Sequence, residues 1–140
     1  MVTFRPAKDL AKAANLTLTN MRPYYEQYSV DWDEVQIEQM TQELVNFDIL
    51  FEEKLVGVIR LSFETEECWV RDLQVDQSYQ NRGIGSTALV EAERLAKDHC
   101  SHILKLRVFK NSPAIHLYKR HGFVLTSEDE RICYMSRAIS

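Results

Sequence analysis

Two short runs carry the residue types that could do chemistry in this chain. The first is Gln80-Asn81-Arg82-Gly83-Ile84-Gly85-Ser86, which opens a helical pattern ending near Asp98. Two glycines one residue apart let the backbone bend and keep side chains away from a ligand that approaches the amides. The first turn of a helix has N–H groups without intrahelical acceptors and the positive end of the macrodipole, so this run suits a phosphate or pyrophosphate. A tight strand-to-helix turn with ordinary packing is built from the same residues. The second run is Asn111-Ser112-Pro113-Ala114-Ile115-His116-Leu117-Tyr118. The spacing i, i+3, i+7 predicts one helix face bearing Asn111, Ala114 and Tyr118. Asparagine bonds an amide-containing ligand, alanine lets it come close, and a phenol gives up a proton where charge develops. Core packing by Ala114, Ile115, Leu117 and Tyr118 is the competing reading.

These runs need elements to hold them. Val2 and Phe4 alternate with polar neighbours as a short strand, and Pro6 suits a first helical position. Leu10, Ala11, Ala14 and Leu18 form one stripe of a helix with Asp9 near its N-terminus, and Asn20 to Tyr28 should break it around Pro23. Asp33 is placed to cap a second helix bearing Ile37, Met40, Thr41 and Leu44. From Phe47 the period falls to two, with a tight turn expected at Glu53-Lys54. Strands follow at Leu55 to Phe63 and Cys68 to Val75, joined by the acidic turn Glu64 to Glu67. Ala88, Leu89, Ala92, Leu95 and Ala96 then line one face of a helix. A helix between Val75 and the next strand, Ile103 to Val108, makes those two strands parallel neighbours with a right-handed crossover. Ser112-Pro113 opens a short helix that Gly122 ends, and Phe123 to Thr126 with Arg131 to Met135 form a closing hairpin. The sum is an α/β chain with a mixed sheet and helices packed on it, expected as a single domain over residues 1–140.

Composition narrows the partners. The chain has 140 residues, 45% hydrophobic and 27% charged, an ordinary globular balance. A net charge of −4 offers no general attraction to nucleic acid or an anionic membrane, and no apolar run reaches a membrane span. Neither is expected as a partner. Cys68, Cys100 and Cys133 are odd in number and widely spaced, which fits reduced thiols in a cytoplasmic protein rather than ligands or nucleophiles. His99 and His102 straddle an expected helix end without a third ligand, so no metal site is expected, and His116 and His121 read as surface residues.

Taken together, the loop Gln80-x-x-Gly83-x-Gly85, a helix and strand after it, then Asn111-x-x-Ala114-x-x-x-Tyr118 and Gly122-Phe123, resemble the GNAT superfamily of N-acetyltransferases. The likeness covers nearly the whole chain, since the order of elements from Val2 agrees. It implies a mostly antiparallel sheet with one splayed parallel strand pair, helices on both faces, and acetyl-CoA bound in the splay. The backbone of Leu73, Gln74 and Val75 would pair with the pantetheine arm. The amides from Gln80 through Asn81, Arg82, Gly83, Ile84 and Gly85 to Ser86 would meet the pyrophosphate, with Arg82 adding charge. Asn111 and Ala114 would border the cofactor, and Tyr118 would lie near the sulfur as proton donor to the departing thiolate.

The implied reaction is direct transfer of the acetyl group to a primary amine of a small molecule or peptide in a ternary complex. The Leu73 N–H would stabilise the developing oxyanion, and no covalent acyl-enzyme is required. A base is needed because alkyl amines have a pKa of about 10. Asp72 is nearest the implied thioester position; Glu64, Glu66 and Glu67 stand at the strand mouth. The family's acceptor contacts would come from the segment between the first two helices, carrying Met21, Arg22, Tyr24, Tyr25, Glu26, Tyr28, Asp31 and Trp32, whose aromatics and carboxylates hold a cationic amine or pin an irregular loop to the core. The resemblance leaves a homodimer open. It also leaves open a non-catalytic acyl-CoA-binding or protein-interaction module on the same fold. A dinucleotide reading of Gly83-x-Gly85-x-x-Ala88 fails on context: Asp76 to Arg82 separate the glycines from the strand, and the next strand carries Lys105 and Arg107 instead of an acid.

Overall fold

The computed structural model describes Met1 to Ile139 and divides into two compact units. The first holds residues 1–60 and 72–85, the second residues 61–71 and 86–140. In chain order the strands are β1 (Val2–Pro6), β2 (Val45–Phe51), β3 (Lys54–Glu64), β4 (Glu67–Val75), β5 (Ile103–Phe109), β6 (Val124–Glu128) and β7 (Ile132–Ala138). The α-helices are α1 (Leu10–Gln27), α2 (Glu34–Thr41), α3 (Ile84–Asp98) and α4 (Ala114–Arg120), with a 3-10 turn at Gln77–Tyr79. The strands form one seven-stranded sheet in the order β1-β2-β3-β4-β5-β7-β6, and β3 and β4 run through both units. This is the expected mixed sheet with one parallel pair.

Within the first unit, β1 pairs antiparallel with β2, Val2 opposite Phe51 and Pro6 opposite Phe47. β2 turns into β3 through Glu52-Glu53, both at positive φ (49° and 68°), one residue earlier than the expected Glu53-Lys54 turn. A two-residue hairpin whose twist matches its strands requires positive φ at both central positions, and here two glutamates accept it. β3 is buried without interruption from Val56 to Leu61, so its run reads as continuous where a half-buried strand would alternate. Its close approach to β4 rests on Gly57, where an added Cβ would stand 2.3 Å from the Gln74 carbonyl oxygen.

Helix α1 corrects one expectation. It is capped by Asp9, whose side chain accepts from the Lys12 N–H at 3.0 Å, and it runs through Pro23 to Gln27 instead of breaking. Proline forfeits one backbone bond. Burial of Ala13, Ala14, Thr17 and Tyr25 along the same helix offsets that loss. Asp33 caps α2 with a reciprocal bond from its own N–H to the Gln36 side chain, the predicted start completed by a capping box.

In the second unit, the first residues of β4 pair parallel with β5, from Glu67 opposite Ile103 to Val70 opposite Leu106. β7 lies antiparallel between β5 and β6, with a register shift in β6 between Leu125 and Ser127. The core includes Cys68, Leu104, Leu106 and Met135 from strands and Ala88 and Ala92 from α3. The apolar stripe predicted for α3 therefore faces inward, except that the helix also leaves Val90 59% exposed.

Candidate functional site

In the first unit the end of β4, the 3-10 turn and the glycine loop form one run. The Asp76 N–H bonds to the Val56 carbonyl at 2.7 Å, while the Asp76 side chain accepts from the Ser78 N–H at 2.8 Å and starts the 3-10 turn. Asn81 (φ 63°) and Gly83 (φ 80°) then take left-handed conformations that reverse the chain into α3. A Cβ added at Gly83 would meet nothing within 4 Å, so glycine answers the backbone angle there and leaves open space above the loop. Gly85 has a different part. It lies at the second position of α3, between Ile84 and Ser86.

Charge gathers beside this loop. The Arg82 guanidinium lies 5.1 Å from the centre of the Tyr79 ring, and Lys54 Nζ lies 5.4 Å from the same ring. Two cations thus contact one aromatic ring next to exposed Asn81, Arg82 and Gly83 and the first-turn amides of a 15-residue helix. These residues fit a diphosphate. Lys54 and Tyr79 escaped the sequence reading because a lysine after a hairpin and a lone tyrosine have no motif to announce them.

Behind the loop the same unit buries a guanidinium. Arg60 is 0% exposed in the middle of β3. Its Nε donates to Asn46 Oδ1 at 2.9 Å, and its Nη1 donates to Thr17 Oγ1 at 2.8 Å and to Asp72 Oδ2. The other oxygen of Asp72 accepts from Gln74 Nε2 at 2.7 Å. The carboxylate expected to act as base is thus anchored on both oxygens. Burial and the Asp72 charge push the nearby Tyr25 phenol up to about 12, against the opposing pull of Arg60, so Tyr25 stays neutral across the physiological range. Tyr25 also meets Trp32 edge to face, with ring centres 5.5 Å apart, while Glu26 and Asp31 remain exposed. Arg60 was legible only as a lone cation inside an apolar strand, and nothing in the sequence named its partners.

The second unit contains the other expected residues. Asn111 lies in a turn before α4, so it does not share the predicted helix face: Pro113 offers no N–H, Ser112 N–H turns back to the Phe109 carbonyl, and Ser112 Oγ accepts from Ala114 N–H where the helix begins. Ala114 and Tyr118, four apart, do share a face. Tyr118 is 7% exposed. Its position is set by the end of its own helix: Gly122 at φ 85° donates to the Lys119 carbonyl, Phe123 N–H donates to the Tyr118 carbonyl at 3.1 Å, and the Phe123 ring packs edge to face on Tyr118 at 5.9 Å. This double cap with its apolar contact fixes the phenol's base from the chain side. Ser86 lies in the first turn of α3.

Other candidates are accounted for locally. Burial pushes the Cys68 thiol up to about 11, which leaves it protonated and inert. Cys133 is buried and Cys100 exposed. His99 stacks flat on Phe63 at 3.7 Å, just beyond the end of α3. Glu67 holds Lys105 Nζ at 2.8 Å and Glu64 holds Arg71, so these strand-mouth carboxylates are engaged in ion pairs.

Residues 13–123 match the family model described as the acetyltransferase (GNAT) family. A spermidine N(1)-acetyltransferase from Thermoplasma acidophilum is 29% identical to this chain, over 76% of it and 73% of the relative. Among solved structures, the PaiA N-acetyltransferase of Thermoplasma acidophilum in complex with coenzyme A superposes with a TM-score of 0.72 at 19% identity, covering 99% of each chain. The ribosomal-protein-S18-alanine N-acetyltransferase of Escherichia coli gives a TM-score of 0.74 at 21% identity over 100% of this chain and 95% of the other.

Proposed function

This chain belongs to the acetyltransferase (GNAT) family, and from that membership we propose that it transfers the acetyl group of acetyl-CoA directly to a primary amine of a small cationic molecule. The observation that carries the cofactor side is the left-handed Gly83 under open space, opening a 15-residue helix beside the two cations that share Tyr79. The amides from Gln80 to Ser86 hold the diphosphate, and Arg82 adds charge. Backbone groups of Leu73 and Val75, on the strand side turned away from β3, pair with the pantetheine, which Asn111 and Ala114 border; the backbone of Gln74 between them faces β3. The Leu73 N–H meets the carbonyl oxygen as negative charge develops on it, and the Tyr118 hydroxyl protonates the departing sulfur. Asp72, held by Arg60 and Gln74, takes the amine's proton directly or through water. The whole described chain acts as one N-acetyltransferase domain in this reading.

The amine class rests on two supports. One relative is named for spermidine, and the α1–α2 region carries aromatic rings with exposed carboxylates at Glu26 and Asp31. The test is release of coenzyme A thiol with a panel of polyamines, amino acids and peptides, with products identified by mass spectrometry. Polyamine acetylation is expected, with Tyr118→Phe lowering kcat about 100-fold while leaving coenzyme A affinity near that of the parent. A higher kcat/KM for peptide N-termini than for any polyamine would overturn the acceptor class, and an unchanged kcat in Tyr118→Phe would remove the phenol from the chemistry.

A further inference from the structure

The carbonyl of Val75 is the junction of three elements in the first unit. It accepts from Asn20 Nδ2 of α1 at 2.8 Å and from Gln80 Nε2, the first residue of the glycine loop, at 3.0 Å. A carbonyl oxygen has two acceptor sites, and both are filled by side-chain amides. The direction of this carbonyl follows from its neighbours. The Asp76 N–H bonds to Val56 on β3, and the Gln74 carbonyl lies against Gly57 on the same strand. Strand alternation therefore turns the backbone groups of Leu73 and Val75 away from β3.

The amide orientations along this path are dictated from one end. Asp72, paired with the buried Arg60, can only accept, so Gln74 must aim its NH2 group at it, at 2.7 Å. That leaves Gln74 Oε1 for Asn20, which must present its own NH2 group there, at 3.2 Å, and through the same nitrogen to Val75. A flipped Asn20 would set oxygen against oxygen at both contacts. Its Oδ1 is buried without a partner among the described residues, the price of this orientation. The Arg60–Asp72 pair thus fixes the orientation of both amides up to the Val75 carbonyl, where Gln80 of the loop also donates.

We infer that Asn20 is a positioning residue for coenzyme A binding, aimed by Arg60 through Asp72 and Gln74, and that it sets the end of β4 and the first residue of the loop before any ligand arrives. This rests on the cofactor reading above. A consequence follows for the ligand: with the Val75 carbonyl filled, the pantetheine is left the Leu73 N–H and carbonyl and the Val75 N–H as partners on that side of the strand.

The test uses Asn20→Leu, which removes the donor at similar volume, Asn20→Asp, which replaces it with an acceptor facing two oxygens, and Asn15→Leu as a control. Asn15 is on the same helix, and among the described residues its side chain donates to Glu34, at 3.2 Å, in a solvent-exposed contact away from the Asn20 path. Coenzyme A dissociation constants come from calorimetry, KM and kcat from acetyl transfer, and loop order from hydrogen exchange of the Ser78 to Ile84 amides in the free protein. The expected result is Kd and KM raised about tenfold in Asn20→Leu and more in Asn20→Asp, with kcat within twofold, faster exchange in the loop, and Asn15→Leu indistinguishable from the parent. Kd and KM within twofold of the parent in both Asn20 variants would overturn the inference. So would a loss shared equally by kcat and KM that tracks the drop in Tm, since that describes a general packing role. A parent protein that fails to bind coenzyme A would defeat the cofactor reading itself, and this inference with it.

Discussion

At the scale of single residues, the site depends on side chains whose orientation is set by what lies behind them. Tyr118 is fixed by the Schellman end of its seven-residue helix and by Phe123. The same helix end holds a titrating group: His121 is the C-cap residue, and its carbonyl accepts from Arg137 Nη1 at 3.2 Å. Partial burial, then the charges of Arg137 and Arg120, hold its imidazole below the usual 6.5, while Glu93, itself paired with Arg137, pulls the other way. The folded state therefore binds fewer protons than the unfolded chain between the depressed value and 6.5. Stability is fully present above 6.5 and falls as the pH drops toward the folded value. Thermal melts between pH 7.5 and 5 should show Tm decreasing on acidification, with a shallower slope in His121→Gln; identical slopes would assign the decline to other groups. The motif residues Gly83, Gly85, Asn111, Ala114 and Tyr118 were visible in the sequence as types at spacings. Arg60, Lys54 and Tyr79 were not, because a buried cation and a cation–aromatic cluster are defined by partners from distant elements.

At the scale of elements, local rules located most boundaries and failed where burial overrode them. The capping box of α2 and the Gly122 terminus of α4 obey side-chain and backbone preferences that operate within a few residues. Helix α1 continues past Pro23 because the packing of Tyr25 beyond it outweighs one lost hydrogen bond. Asn111 left the α4 face because Pro113 delays the helix. The approach of β3 to β4 supplies the sharpest test at this scale. In Gly57→Ala the new methyl would sit 2.3 Å from a backbone oxygen that cannot swing aside. Strands must separate locally, at a cost of about 3 kcal/mol. Chemical denaturation should show that loss, and because the oxygen belongs to Gln74, next to the proposed pantetheine-binding residues, coenzyme A affinity should fall as well. A stability within about 0.5 kcal/mol of the parent would mean that β4 has more freedom than its register implies.

At the scale of the whole molecule, ligand binding should appear as stability. If the loop and strand hold coenzyme A in the folded state alone, a concentration 100 times Kd contributes about 2.7 kcal/mol and raises Tm by roughly 8 °C. A thermal shift absent with coenzyme A, yet present with unrelated anions, would count against the cofactor assignment. Membership in the acetyltransferase (GNAT) family was readable beforehand, since two motifs at the proper separation lie in the proper succession of elements. The sequence by itself determined the types and order of the elements, the glycine loop ahead of α3, and the inward-facing apolar stripe of α3, because each depends on periodicity and on neighbours within a few positions. The stripes expected for α1 and α2 hold only in part, since Ala11 and Met40 are exposed and Leu44 lies beyond α2. Only the tertiary structure decided that β7 inserts between β5 and β6, that a guanidinium lies buried on Asp72, and that Asn20 fills the carbonyl at the end of β4. Those pairings join residues tens of positions apart, and a hydrogen bond between them depends on distance in space, which no local pattern encodes.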